Sequence, residues 1–136
     1  MIITNNIIYH FTLSLPLNEV ENREIIKKLP IYSIISMIFI IPLIEEIVFR
    51  LSFKKSFKNK NLFLIITALI FGLFHVLFTK DYIYIIPYTI FGYILGKIYY
   101  DTDNIFYSYF IHAFHNTLCL LLIFLGGSLW KEQWYF

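Results

Sequence analysis

Four stretches of the chain, Ile31 to Arg50, Leu62 to Thr79, Tyr82 to Tyr100 and Ile105 to Leu125, are apolar over the length that a helix needs to cross a bilayer. About 20 mostly apolar residues span the hydrocarbon layer. Backbone placed there must satisfy its own hydrogen bonds, which leaves the helix as the solution for runs of this length. The connections are short and polar: a loop carrying Lys54, Lys55, Lys58 and Lys60, the Lys80-Asp81 turn, and Asp101-Thr102-Asp103-Asn104. Short connections make sequential helices antiparallel neighbours. The predicted fold is therefore all-α, a polytopic membrane bundle with four core transmembrane helices.

Composition agrees with this reading. Hydrophobic residues make up 59% of the chain and charged residues 15%, whereas about a quarter of a soluble domain is usually charged. A formal net charge of +2 gives no global basic field that would recruit nucleic acid. The single cysteine, Cys119, excludes a disulfide within the chain and a multi-cysteine metal site, and is expected to be a small packing residue. The bias toward Ile, Phe, Tyr, Asn and Lys fits translation from an AT-rich genome; the expected location is a bacterial cell membrane, as a multi-pass protein.

The first thirty residues form a separate region. Asn18 to Leu29 alternates Glu19, Glu21, Arg23, Glu24, Lys27 and Lys28 with Val20, Ile25, Ile26 and Leu29, which fits an amphipathic helix lying on the membrane surface. Met1 to Leu17 lacks the basic start of a signal peptide and is either a partly inserted segment or an irregular lead-in. The expected organisation is thus an interfacial segment over 1–30, a membrane core over 31–125 and an interfacial tail over 126–136 carrying Trp130 and Trp134. The dense lysine loop favours a cytoplasmic position for that end of the bundle. Gly92 and Gly96 form a small-xxx-small pair suited to close helix packing.

Against this apolar background a few residues stand out. Ionisable side chains within membrane helices are costly and usually face a protein interior or a wet cavity. Glu45, Glu46 and Arg50 close the first stretch, His75 lies in the second, and His112, His115 and Asn116 lie in the fourth. Glu46 and Arg50 are four apart and share a helix face, so they can pair. Glu45 is turned about 100° from Glu46 and is left to point into the bundle, where its carboxylate suits a general base or a metal ligand. His112 and Asn116 also share a face, whereas His115 is turned away as a bystander. At about 1.5 Å per residue, Glu45, His75 and His112 fall at comparable depths from the lysine loop. One buried histidine or one Glu–Arg pair is ordinary helix-packing glue. A set on three helices at one level is the pattern of a hydrolytic site.

The three motifs Glu45-Glu46-Ile-Val-Phe-Arg50, Phe71-Gly-Leu-Phe-His75 and His112-Ala-Phe-His-Asn116 resemble, in order and spacing, those of the CAAX protease and bacteriocin-processing (CPBP) family of intramembrane endopeptidases, also called abortive-infection (Abi) proteins. The stretch from Gly92 through Asn104 also looks like the family's run into its third motif. The resemblance covers roughly Ser33 to Leu125. Family members carry further membrane helices before the first motif, so a partner chain or insertion of Met1 to Leu17 is expected to complete the bundle.

The resemblance implies an intramembrane peptidase. Glu45, assisted by His75, would activate the attacking water; His112 and Asn116 would stabilise the oxyanion; Glu46 and Arg50 would orient the site from behind. It leaves two mechanisms open. One is metal-free and needs no cofactor. In the other, Glu45, His75 and His112 hold Zn2+ with water in an open position. The sequence fits both; no His-Glu-x-x-His helix is present, and the reading leans slightly to the first. The implied partners are the bilayer and a membrane-associated peptide or protein substrate, in bacteriocin maturation or self-immunity. The alternative is a non-catalytic membrane immunity or interaction protein that keeps the polar set as packing glue.

Overall fold

A computed structural model describes residues 28–77, 80 and 82–129, without the side chains of residues 123 and 125–129. The expected amphipathic helix, the lead-in over Met1 to Leu17 and the interfacial Trp130 and Trp134 lie outside the described residues, apart from a turn at Lys28 and Leu29. Four long helices account for the rest: α1 (Ile31–Lys54), α2 (Lys60–Val76), α3 (Ile85–Thr102), which follows a short 3-10 turn at Tyr82–Tyr84, and α4 (Ile105–Leu129). No strand occurs among the described residues.

Local chemistry sets the helix ends. Pro30, extended at φ −65° and ψ 152°, stands immediately before α1. The Asn59 side chain accepts a hydrogen bond from the Leu62 amide at 3.1 Å and so caps α2. α3 stops where Asp103 adopts φ 51°, a left-handed conformation that Asp tolerates better than most residues. Its neighbour Asn104 accepts from the Phe106 amide at 2.9 Å and starts α4.

α1 is not a uniform α-helix. It widens into two π-helical turns, Ser36–Ile40 and Ile47–Leu51, on either side of the α-helical segment Ile41–Glu46. Such turns add a residue to the helical repeat and often mark functional positions. Here they flank the Glu45–Glu46 pair.

α2 and α3 make the closest contact in the bundle, and glycines allow it. Gly92 and Gly96 face α2 as the small-xxx-small spacing predicts: a Cβ added at Gly92 would lie 3.0 Å from the Phe71 ring, and one at Gly96 would lie 3.4 Å from Leu64 Cδ2. The tightest position is Gly72, where a Cβ would stand 2.2 Å from Thr89 Oγ1 and 3.0 Å from the Ile85 carbonyl. α4 then lies against α3 and α1.

The resulting surface is inverted relative to that of a soluble domain. Phe110 and Phe114 of α4 are 65% and 64% exposed, and Phe39, Ile44, Leu69, Phe74 and Ile94 are exposed on the other helices. Glu46 and Arg50, by contrast, are 0% exposed. Soluble monomers rarely present continuous apolar surface on this scale. Two helical stretches, Ile31–Lys54 and Ile105–Leu122, are individually long and apolar enough to cross a membrane. α2 is apolar but shorter, at 17 residues, and α3 carries Lys97 and Asp101 near its end. The four-span expectation is therefore met by two helices on their own sequence.

Charge collects at one end of the bundle. Lys60 and Lys97 both donate to Asp101, and Lys54 donates to Asp103. The Lys54 ammonium also lies 4.9 Å from the Tyr99 ring centroid, and that of Lys60 lies 5.1 Å from Tyr100. These contacts bring the α1–α2 loop to the α3–α4 turn, as antiparallel neighbours require.

Two predictions follow from this packing. Gly72→Ala should destabilise the protein by about 1–3 kcal/mol through overpacking, whereas Gly96→Ala, with ordinary contact distances, should unfold close to wild type; denaturant unfolding in detergent monitored by circular dichroism compares them. Hydrogen bonds from Lys60 and then Lys97 hold the Asp101 carboxyl below the usual carboxylate range. The stabilisation this gives is present above the unfolded-state pKa and is lost as pH falls through the lowered folded-state value. A carboxyl NMR titration should accordingly place Asp101 below an ordinary aspartate, and Lys60→Gln should move it upward.

Candidate active site

Glu45 and Glu46 stand at the end of the α-helical segment of α1, just before its second π turn, and α4 lays His112 across both. His112 Nδ1 donates to Glu46 Oε1 at 3.0 Å, and His112 Nε2 faces Glu45 Oε2 at 3.4 Å. The second distance is longer than an ordinary hydrogen bond. A carboxylate only accepts, so Nδ1 carries a proton. The Nε2 edge and Glu45 then share whatever proton lies between them. His112 is 3% exposed, whereas the Glu45 side chain is 24% exposed and reaches the bundle surface.

Behind this pair, Glu46 directs Oε2 toward Arg50 Nε at 3.4 Å. Neither atom meets hydrogen-bond geometry, so the attraction there is coulombic. Arg50 Nη2 donates to the Gly92 carbonyl at 3.2 Å, which joins α1 to α3. The guanidinium also lies 4.8 Å from the Phe71 ring centroid, within cation–π range. Sequence spacing predicts the Glu46–Arg50 pair. The bond from His112 to Glu46 is not legible from spacing, because it depends on how α4 crosses α1.

Phe71, the first residue of the Phe-x-x-x-His motif, is the centre of this assembly. Its ring centroid lies 4.4 Å from His75, 5.8 Å from His112 and 5.4 Å from Phe49. Its carbonyl accepts from His75 Nδ1 at 2.8 Å. A carbonyl only accepts, so His75 Nδ1 carries a proton. Tyr88 of α3 stacks on the other face of His75 at 4.6 Å and 23°. Gly92 serves the same group twice, giving its carbonyl to Arg50 and room to the Phe71 ring.

Asn116 has a different immediate partner from the one expected. Its Nδ2 donates to the Met37 carbonyl of α1 at 3.2 Å. The reason lies in the first π turn. The Ile41 amide bonds to the Ser36 carbonyl, so in that register the donor for Met37 would be the nitrogen of Pro42, which carries no hydrogen. Asn116 supplies the missing donor from α4. Pro42, buried beside Glu45 and Glu46, is thus a positioning residue that motif reading passes over. The available signal was a proline within an apolar membrane-length run, where a freed carbonyl must find another partner.

Of the six residues singled out, Glu45, Glu46, Arg50 and His112 make direct contact. His75 joins through Phe71 and through the electrostatic influence of Glu45, His112 and Arg50. Asn116 joins through the α1 backbone. His115 is elsewhere, with its ring 4.4 Å from Phe91 and its Nε2 3.5 Å from Cys119 Sγ.

No three His, Cys, Asp or Glu side chains among the described residues converge as a metal site. A metal ligand needs a nitrogen lone pair directed at the ion. His112 Nδ1 is held by Glu46 and His75 Nδ1 by the Phe71 carbonyl, so any ligation by these rings would run through Nε2.

Together, the fold and site define an all-helical protein with an apolar exterior and a buried carboxylate–histidine–arginine cluster. The chain belongs to the Type II CAAX prenyl endopeptidase Rce1-like family, whose model matches residues 27–118. This is the kinship indicated by the three motifs, and the family is one of membrane-embedded proteases. An uncharacterized protein of Mycoplasma capricolum subsp. capricolum is 35% identical over 91 residues, which is 66% of this chain and 27% of that protein. The chain thus corresponds to about a quarter of that relative's length. No solved structure matches it.

The burial of the charge cluster has a measurable consequence. Removing one partner of a buried pair leaves the other uncompensated, at about 3–5 kcal/mol. Arg50→Met should therefore lower unfolding stability by that order, and the double variant Arg50→Met/Glu46→Gln should lose less than Arg50→Met alone. Denaturant unfolding in detergent reads both. Arg50→Lys should not restore stability, because an ammonium cannot reach Gly92 and face Glu46 with the same planar fork.

Proposed function

We propose that the chain is the core of a multi-pass membrane endopeptidase that hydrolyses a peptide bond of a membrane-associated peptide or protein, with water activated by Glu45 and no metal. The observation that carries this reading is the 3.4 Å approach of Glu45 Oε2 to His112 Nε2. It places a partly accessible carboxylate beside a buried ring whose other nitrogen is already held by Glu46. A base and a hydrogen-bond donor thus face one another at the edge of the bundle, as acyl hydrolysis requires.

In this reading Glu45 takes a proton from water as the water oxygen attacks the scissile carbonyl. His112, kept in place by Glu46, donates from Nε2 to the developing oxyanion. The proton held by Glu45 then passes to the leaving amine. His75, held in place by the Phe71 carbonyl, orients the water. The amide hydrogen of Asn116 not bonded to Met37 is the second oxyanion donor. Arg50 balances the charge on Glu46 and keeps the cluster assembled in a medium of low dielectric.

Membrane residence rests on the inverted surface, on the two helical stretches long enough to span and on the family. In the bilayer, α2 and α3 cross with α1 and α4, held by the glycine contacts and by Arg50 on Gly92. A partner chain covers the remaining side of the bundle.

The test is cleavage of membrane-inserted peptides by purified protein in lipid. Glu45→Gln should reduce turnover by about 100- to 10,000-fold, and His112→Ala should reduce it by about 100- to 1,000-fold. His75→Ala should also be impaired, with all three variants still folded by circular dichroism. Cleavage should persist in the presence of chelators. Full activity in all three variants would overturn the catalytic reading and favour action through contact alone.

A further inference from the structure

A cleft of about 580 Å³ opens at the charged end of the bundle, lined by Leu51, Lys54 and Lys55 of α1 and its following turn, Tyr99 and Asp103 at the end of α3, and Phe106 of α4. Leu51 is six residues beyond Glu45, roughly 9 Å along the helix axis, so the cleft is separate from the carboxylate–histidine cluster. Its walls differ in chemistry. Leu51 and Phe106 are exposed apolar side chains on helices that continue into the apolar part of the bundle. Lys54 and Lys55 add two ammonium groups to the same lining.

The lysines are available to a ligand. Lys55 is exposed and has no carboxylate within ion-pair distance among the described residues. Lys54 pairs with Asp103, but the Asp103 side chain is 82% exposed. Lys54 is itself 25% exposed and is held over the Tyr99 and Tyr100 rings; a pair whose carboxylate faces water contributes little, so the ammonium can exchange Asp103 for another anion without leaving its place. Lysines are also in excess here. Lys54, Lys55, Lys58, Lys60 and Lys97 cluster at this end against Asp101 and Asp103. A basic cleft with an apolar floor, at the level where helices leave the hydrocarbon, is complementary to an anionic phospholipid: phosphate on the ammoniums, acyl chain along Leu51 and Phe106.

We infer that this cleft binds the headgroup of an anionic phospholipid, with Lys54 and Lys55 as the phosphate ligands. The inference rests on the membrane reading proposed above and is independent of catalysis. If the site is occupied in the bilayer, the lipid bridges the end of α1 to the α3–α4 turn and stiffens the helix that carries Glu45.

The experiment uses the full chain purified in mild detergent, with phosphatidylglycerol and phosphatidylcholine offered in turn and retained lipid counted by native mass spectrometry. Wild type should retain phosphatidylglycerol in preference to phosphatidylcholine. Lys55→Gln should weaken that retention about fivefold, and Lys54→Gln/Lys55→Gln should weaken it further. Lys58→Gln/Lys97→Gln removes the same charge outside the lining residues and should retain lipid as wild type does. Equal loss in this control, equal retention of the two lipids, or displacement of the lipid by millimolar inorganic phosphate would each overturn the inference. Lys55 is exposed and unpaired within the described residues, so its single variant decides the matter where the double variant fails to insert. Protein that fails to float with phosphatidylcholine vesicles would overturn the membrane reading itself; protein that floats but shows no preference for phosphatidylglycerol would overturn only the site.

Discussion

The rest of this structure depends on a charge cluster that has no water to fall back on. Glu46 and Arg50 are fully buried, and in such surroundings each is tolerable only in the presence of the other. The cluster recruits groups from three helices. Arg50 takes the Gly92 carbonyl from α3, Glu46 takes His112 from α4, and the Phe71 ring of α2 lies against the guanidinium. A bundle with an apolar exterior gains little specificity from hydrophobic burial, because lipid is as apolar as its own side chains. The polar cluster supplies the register that burial cannot.

The backbone of α1 is adapted to this cluster. Two π turns bracket Glu45 and Glu46, and Pro42 lacks the amide that would otherwise have bonded the Met37 carbonyl in the register of the first. The freed Met37 carbonyl is met by Asn116. One asparagine therefore holds α4 to α1 one helical turn from His112, which sets how His112 meets the two glutamates. Its position four residues after His112 thus has a structural reason as well as the chemical one that the family resemblance suggests.

The two glutamates divide their work by environment. Glu46, without exposure, is bound to Arg50 and to His112 Nδ1 and has little freedom. Glu45, partly exposed and facing His112 Nε2, is placed to meet something arriving from outside the bundle. Neighbouring carboxylates on one helix thus have different surroundings, set by π-helical winding and by the crossing of α4. The lysine-rich end is distinct again: its charges are paired at the surface, where water reaches them.

The sequence by itself determined that the chain is helical, that its long runs are too apolar for a water-exposed surface, and that Glu46 and Arg50 share a face. Each of these depends on composition or on spacing along one helix. It also marked Glu45, His75, His112 and Asn116, because polar residues in apolar runs need a reason. Only the tertiary structure decided that His112 lies across both glutamates, that Phe71 is the common neighbour of His75, His112 and Arg50, that Gly72 is the tightest helix contact, and that Asn116 answers a carbonyl freed by Pro42. These are relations between helices. Spacing within a helix fixes the direction of a side chain about its own axis, but the partner it meets is set by crossing angle, depth and local winding, which arise only when the helices pack.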